Sequence, residues 1–362
     1  MAAVDEAART QLFQSIKDGD AERVRLLLEA LQGRGGGVDF VDEFGTSPLQ
    51  SAAYAARPDL LRLILQAGAD VNYRQDHPHR YTALMFAALS GNEECCRILL
   101  EAGAETHHQN SIGRTAGELA SFTGQHHCVS LINNFLPLSD ILKAAGVKDG
   151  KYSDDLIKAI YEVASSYNIH PVKIVLFLQE RPLLLEQKEQ TLRVLDDIMD
   201  SEMRRKDTNE VMAMKIHLVR RTLKEIITWC KKEGEQGRST EEVLGRFIKF
   251  LLSCEEGETF SRNFENLVRQ MLKEFPFHQS TLFMGMVKTL ASTPVGGSPD
   301  AVSVIRQALL GAKMMMNENF CATCGTSPAT KRCSVCKAVH YCSPECQKLA
   351  WFAHKKLCKK AQ

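Results

Sequence analysis

The sequence predicts a mainly α-helical protein built of three parts. A motif recurs with a period near 33 residues in the first 137 residues, which is typical of a helical repeat array. Apolar residues fall at helical intervals from residue 153 to about residue 316, without strand-like alternation. Cysteines with the spacing of metal ligands cluster near the end of the chain. We therefore expect a repeat solenoid over residues 5–137, an all-α domain over 150–316 and a small metal-stabilised domain over 320–360.

The composition is that of an ordinary globular chain, with 44% hydrophobic residues, 25% charged residues and a formal net charge of +1. Nucleic-acid binding rests on clustered Lys and Arg, so we expect no nucleic-acid partner. The N-terminus lacks a basic region followed by an apolar run, and no apolar stretch approaches the roughly 20 residues that span a bilayer. These features favour a cytoplasmic protein that does not insert into membranes.

The repeat motif of the N-terminal part begins with a hydroxyl residue that can cap a helix. The three clearest copies are Thr46-Ser47-Pro48-Leu49, Thr82-Ala83-Leu84 and Thr115-Ala116-Gly117. Gly91 and Gly124 are placed to turn the chain between the two helices of a repeat. An earlier unit lacks the motif, as expected of a capping repeat. The pattern resembles the ankyrin repeat, and we count four repeats.

The resemblance to ankyrin repeats implies a protein-binding function for this array, because such solenoids present a concave face and hairpin tips to their partners. Exposed aromatic residues and Arg are the usual anchors of interfaces, although each tip residue could equally be a solvated loop residue. Histidines near the tips are not spaced as metal ligands, so we expect no metal there. The candidate contact residues are Phe44, Tyr73, Arg74, His79, Tyr81 and Ile112.

Helix start and stop signals recur in the middle of the chain. Ser153 precedes a helical apolar face, Pro171 opens a segment that Pro182 closes, and Ser239 begins a capping box. Ser298-Pro299 is expected to start the last helix. We predict six to eight helices in one bundle-like domain. The region contains no phosphate-binding glycine loop, nucleophile elbow or metalloprotease motif, so no enzymatic activity is expected.

The last part of the chain has the spacing C-x2-C-x8-C-x2-C-x5-C-x3-C-x7-H-x3-C. So short a segment cannot bury enough surface to fold alone, whereas zinc coordination supplies about 10–16 kcal/mol per structural site. Four ligands around each ion leave no open position, so two structural Zn²⁺ ions are expected. A disulfide framework is the alternative, and the C-x2-C spacing disfavours it. The ligands are Cys321, Cys324, Cys333, Cys336, Cys342, Cys346, His354 and Cys358.

The order of these ligands resembles the MYND-type zinc finger. The resemblance implies two interleaved sites, the first formed by Cys321, Cys324, Cys342 and Cys346, and the second by Cys333, Cys336, His354 and Cys358. It also implies a groove for proline-containing peptides. Gln347 and Trp351 match the positions that line this groove, although Trp351 could instead belong to the core of so small a domain.

The order of ankyrin repeats, helical region and MYND finger resembles the ankyrin repeat and MYND domain-containing proteins. The segments 81–92, 170–175 and 331–337 carry this resemblance. It implies an intracellular role in delivering membrane-bound cyclases and signalling receptors to the primary cilium, with an FKBP-type immunophilin as a partner.

The leading functional hypothesis is therefore a non-enzymatic adaptor. It would bind one client on the concave face of the array and a proline-containing peptide at the MYND finger. A transcriptional corepressor-type MYND adaptor is the alternative. A lysine methyltransferase-related protein is disfavoured, because the Asn-His-x-Cys and Gly-Glu-Glu-Leu-like strings of those enzymes do not occur.

Overall fold

The computed structural model describes residues 2–33, 37–74, 80–146, 152–205, 208–234, 237–255, 258–311 and 319–358. The chain divides into two compact units, Met1–Pro137 and Leu138–Gln362. Within the described ranges, no helix is both long and apolar enough to cross a membrane.

The first unit consists of four helix pairs in its described part. Its apolar core runs through all four pairs and includes fully buried alanines such as Ala52, Ala87 and Ala120. Small side chains at these positions let neighbouring helices approach closely. The helices are α1 (Ala2–Asp18), α2 (Ala21–Gln32), α3 (Pro48–Tyr54), α4 (Pro58–Gln66), α5 (Ala83–Ser90), α6 (Glu93–Glu101), α7 (Ala116–Phe122) and α8 (His126–Asn134).

Side-chain caps fix where the first helix of each repeat begins. Thr82 and Thr115 accept hydrogen bonds from the backbone N–H groups three residues later, as predicted. In the preceding repeat the cap is Ser47 and not Thr46, because Pro48 occupies the first helical position. Gly91 and Gly124 have φ values of 72° and 77°, which confirms their predicted role as turns.

The second unit is helical except for a two-stranded antiparallel sheet in which Lys331 lies opposite Tyr341. Within this unit, the last helix packs on the helix that ends at Leu252. The elements are α9 (Leu138–Ala145), α10 (Asp154–Ser165), α11 (Pro171–Glu180), α12 (Leu183–Glu186), α13 (Lys188–Arg204), α14 (Glu210–Gly234), α15 (Thr240–Leu252), α16 (Arg262–Lys273), α17 (Thr281–Ala291), α18 (Ala301–Leu310), β1 (Lys331–Arg332), β2 (His340–Tyr341) and α19 (Pro344–Leu357).

Two predictions about the helical region were wrong in detail. The described part of residues 150–316 contains nine helices and not six to eight. The helical conformation is interrupted at Gln187, between α12 and α13, although no Gly or Pro there signals a helix end. The last helix of the helical region, α18, starts at Ala301 and not at Ser298-Pro299. The Asp300 carboxylate accepts from the N–H of Ser303, and Glu265 accepts from the N–H of Ala301.

Candidate metal centre

Four cysteines from three segments converge near the end of the chain. Cys321 and Cys324 lie in a turn before β1, Cys342 follows β2, and Cys346 lies in the first turn of α19. Their four Sγ atoms all lie within 4.8 Å of one another. The Sγ atom of Cys324 is 3.6 Å from that of Cys342 and 3.6 Å from that of Cys346. This compact four-sulfur cluster is the first metal site.

Three cysteines and one histidine form the second metal site in the same segment. Cys333 and Cys336 lie between the two strands, and His354 and Cys358 lie at the end of α19. The Sγ atoms of Cys333 and Cys358 are 3.7 Å apart, and Cys336 Sγ lies 3.6 Å from His354 Nε2. The ligands of the two sites alternate in pairs along the chain, so together they cross-link the whole segment.

The donor atoms fit zinc and do not fit disulfides. A tetrahedron with Zn–S bonds of about 2.3 Å places its sulfur atoms about 3.8 Å apart, close to the observed 3.5–3.7 Å separations. A disulfide would require about 2.05 Å, and all twelve cysteines are free thiols. The two clusters are consistent with two structural zinc ions, each enclosed by four protein ligands.

Backbone hydrogen bonds shape the loops that present the first ligands. The N–H of Gly325 donates to Cys321 O at 2.8 Å, and the N–H of Cys321 donates to Thr326 O at 2.9 Å. In the second loop, the N–H of Lys337 donates to Cys333 O at 2.9 Å. Gly325 and Lys337 both adopt positive φ angles, 69° and 54°. These tight turns bring each Cys-x-x-Cys pair onto one side of its loop.

The hydrogen bonds in each site favour thiolates at defined positions. Hydrogen bonds donated by the side chains of Cys324 and Cys346 lower the pKa of Cys321 well below its ordinary value. The backbone N–H of Cys336 lowers the pKa of Cys333 to about 6. At Cys321 and Cys333 these shifts run toward the thiolate, the form in which cysteine binds zinc.

The predicted peptide-groove residues lie one helical turn apart on α19. Gln347 is half-buried, whereas 41% of the Trp351 side chain is exposed. The Trp351 ring packs 5.8 Å from the ring of His354, measured between centroids. Trp351 thus contacts a zinc ligand on one side and solvent on the other.

The predicted hairpin-tip residues of the array differ in exposure. Phe44 and Ile112 are 66% and 74% exposed, and Arg74 is also exposed. Tyr73 and Tyr81 are half-buried, and their carbonyl oxygens accept hydrogen bonds from the buried Gln50 side chain. His79 lies outside the described residues. Phe44 and Ile112 are therefore the tip residues with the most free apolar surface.

An apolar row on the first helices of three successive repeats was not predicted from the sequence. Tyr54, Leu89 and Phe122 occupy the seventh position after the helix cap in three successive repeats. Phe122 is 90% exposed, and Tyr54 packs edge-on against Phe86 with ring centroids 5.8 Å apart. An apolar residue recurs at this position in all three repeats, and this recurrence could have revealed the row from the sequence alone.

A further polar cluster lies at a hairpin tip of the array. The Glu105 carboxylate lies 3.2 Å from His107 Nε2 and 2.9 Å from His108 Nε2, and these three groups could together hold a metal ion. The distances are those of hydrogen bonds between a carboxylate and imidazole N–H groups, which account for the cluster without a metal.

The fold and the two metal sites define a protein built from an ankyrin array and a MYND finger. The MYND finger family model matches residues 321–358, and the model described as ankyrin repeats (many copies) matches residues 49–100. Dauer abnormal formation protein 25 of Caenorhabditis elegans is 35% identical over 365 residues, which cover 99% of this chain and 92% of that protein. The chain belongs to the family of ankyrin repeat and MYND finger proteins that includes this relative.

Shorter similarities connect the chain to other proteins. Zinc finger MYND domain-containing protein 10 homolog of Drosophila melanogaster and SET domain and MYND-type zinc finger protein 6 of Schizosaccharomyces pombe are each 49% identical over 43 residues. Each match covers 12% of this chain and 9% of the relative. The domains identified in this chain are binding modules.

Proposed function

We propose that the chain is a non-enzymatic adaptor that holds one client on its ankyrin array and a proline-containing peptide on its MYND finger. The observation that carries this proposal is the presence of two binding modules in one chain, each with a large exposed side chain outside its core. These side chains are Phe122 on the array and Trp351 on the finger. Two modest sites on one chain reinforce each other through effective concentration, so neither needs high affinity.

The row formed by Tyr54, Leu89 and Phe122 supports client binding by the array. Aromatic side chains contribute large contact areas and dominate interface energetics. The row lies on the first helices of successive repeats, which line the concave face of ankyrin arrays. The exposed tip residues Phe44 and Ile112 extend the apolar surface available to a client. We propose Tyr73, Arg74, His79 and Tyr81 as further contacts.

The pair of Gln347 and Trp351 supports peptide binding by the finger. Proline-rich segments bind aromatic surfaces because their extended helix is preformed and loses little entropy on binding. The Trp351 indole supplies such a surface, and the Gln347 amide can hydrogen-bond to a peptide carbonyl. Neither residue belongs to a metal site, so binding and zinc retention can be tested separately.

We predict that Trp351→Ala weakens the binding of a proline-rich peptide at least tenfold, since the loss of a tryptophan anchor typically costs about 2 kcal/mol or more. Isothermal titration of the full chain measures this loss, and zinc content should stay at two equivalents per chain. Lys356→Ala alters an exposed residue of the same helix and serves as the control. Equal peptide affinity in Trp351→Ala and the wild type would remove the groove from the proposal.

The resemblance to the family supports a specific class of clients. We propose that the array binds membrane-bound cyclases and signalling receptors destined for the cilium, with an FKBP-type immunophilin as a further partner. Ciliary localisation of a membrane-bound cyclase in cells that express only Phe122→Ser tests this proposal. Leu26→Ser changes an exposed apolar residue on α2 and is the matched control. Normal cyclase localisation with Phe122→Ser would contradict client binding through this row.

A further inference from the structure

Arg306 on α18 is a buried cation without an acidic hydrogen-bond partner in the described part of the chain. Arg306 is 9% exposed. The guanidinium lies over the ring of Phe320, 4.4 Å from the ring centroid. A buried charge is costly unless an opposite charge compensates it. A cation–π contact of about 2 kcal/mol supplies only part of this compensation.

The negative groups that act on Arg306 are Asp300 and two ligands of the first metal site. Burial lowers the pKa of Arg306, and the charges of Asp300, Cys324 and Cys321 act in the opposite direction. The Asp300 carboxylate already accepts a hydrogen bond from the N–H of Ser303 as the cap of α18. Asp300 keeps its charge while it caps α18, so Asp300 and the two cysteines together supply the negative charge that acts on Arg306.

The guanidinium also contacts the loop that carries these cysteines. Gly325 lies between Cys324 and Thr326, and a Cβ atom at this position would overlap with the Arg306 guanidinium and with the side chain of His170. The loop backbone thus rests directly against α18 and the start of α11. Only glycine allows this close approach at the observed φ of 69°.

A second contact reaches the same loop from the helical region. The Asn168 amide donates to Cys324 O at 3.0 Å and to Thr326 Oγ1 at 3.3 Å. Thr326 Oγ1 lies 3.1 Å from Cys324 Sγ. A zinc-bound thiolate has no proton, so the Thr326 hydroxyl must donate to it. The Asn168 amide thereby orients a hydroxyl that hydrogen-bonds to a ligand of the first metal site.

The two metal sites differ in charge. Four thiolates and one Zn²⁺ ion leave the first metal site with a net charge of −2, whereas three thiolates, a neutral histidine and Zn²⁺ leave the second metal site with −1. We infer that Arg306 is the charge partner of the first metal site, and that this pair, with Asn168, fixes the MYND finger onto the helical region. The coupling is reciprocal, because a contact that stabilises bound zinc is itself stabilised by zinc.

The metal affinity of each site in the full-length protein tests this inference. Cobalt-substituted protein distinguishes the two sites, because a centre with four thiolates and a centre with three thiolates and an imidazole have different visible absorption spectra. We expect Arg306→Met, which retains most of the side-chain volume, to weaken cobalt binding at the first metal site at least tenfold, the usual scale for a residue that supports a metal ligand. The second metal site should be unaffected. Arg306→Lys, which keeps the charge, should lose less than Arg306→Met.

The two sites and the two variants provide internal controls. Arg246→Met removes an exposed arginine that pairs with Glu233 and should leave both sites unchanged. Equal weakening of both metal sites by Arg306→Met would overturn the inference. Equal loss in Arg306→Lys and Arg306→Met would also overturn it, because charge would then not matter.

Hydrogen exchange of the unmodified protein provides a test that does not depend on the folding of a variant. We expect removal of zinc by a chelator to reduce the protection of α18 and the first turn of α11 at least tenfold. The centre of α13, which contacts α14 and α9, should keep its protection. Unchanged exchange in α18 after complete loss of zinc would overturn the inference.

Discussion

Ala56 occupies a backbone position that other repeats give to glycine. Its φ angle is 56°, and the residues at the same place in the other three helix pairs, Gly19, Gly91 and Gly124, have φ angles from 72° to 77°. A Cβ atom in the left-handed region costs about 1–2 kcal/mol. The second repeat therefore carries backbone strain that its neighbours avoid.

We predict that Ala56→Gly raises the free energy of unfolding of the ankyrin array by about 1 kcal/mol, because glycine relieves this strain. Chemical denaturation monitored by circular dichroism measures the change. Ala55→Gly is the matched control, since Ala55 has a right-handed φ of −70°. The control should lower the free energy of unfolding by about 0.5–1 kcal/mol. A similar loss in both variants would show that Ala56 is not strained.

The contact between α14 and the end of α16 contains a buried histidine that must stay neutral. His217 Nε2 donates to Met271 O at 2.8 Å. The pKa of His217 is lowered to about 4, chiefly by burial and in part by the neighbouring Arg221 and Arg220, while the Met271 carbonyl and Glu274 oppose this shift. The ordinary value of the side chain is 6.5. Folding therefore favours the unprotonated imidazole.

The pH dependence of stability follows from this shift. The unfolded chain binds a proton at His217 below pH 6.5, whereas the folded chain does so only near pH 4, so this contribution is complete above pH 6.5 and is lost as the pH falls toward 4. His217→Gln keeps an N–H donor and does not titrate. We predict that wild type loses about 1–2 kcal/mol more stability than His217→Gln between pH 6.5 and 5, measured by urea unfolding. Parallel pH profiles would contradict this assignment.

Local signals in the sequence predict much of the secondary structure. The caps at Thr82, Thr115, Ser153 and Ser239 depend on interactions within four residues, so their patterns are visible in the chain. The break at Gln187 was not predictable, because no local residue requires it. The start of α18 depends partly on Glu265, which lies 36 residues away in sequence. Such long-range hydrogen bonds leave no local pattern.

The candidate site shows the same division between local and long-range information. The presence of two four-ligand clusters follows from cysteine spacing, and the resemblance to MYND fingers implied the pairing that the geometry shows. The contacts of Asn168 and Arg306 with the loop of the first metal site could not be predicted. Asn168 precedes its partner Cys324 by 156 residues, and neither contact residue belongs to a motif. Only the folded chain brings these residues together.

At the scale of the whole molecule, the helical region and the MYND finger form one compact unit, Leu138–Gln362. The packing of α19 on α15 and the hydrogen bonds from Asn168 join them. Zinc loss should therefore affect more than the segment that binds it. The ankyrin array belongs to the other unit, and repeats in a solenoid depend mainly on their neighbours.

We predict that Cys333→Ala removes the structural transition of the MYND finger and lowers the melting temperature of the second unit, while the transition of the array stays unchanged. The physical reason is that one lost ligand opens the second metal site, which forfeits much of a coordination free energy of about 10–16 kcal/mol. Calorimetry of the full chain measures both transitions, and Ala56→Gly identifies the array by shifting it upward. Cys254→Ala, which removes a free cysteine outside both metal sites, is the control. A lower array transition in Cys333→Ala would mean that the solenoid depends on the zinc-bound unit.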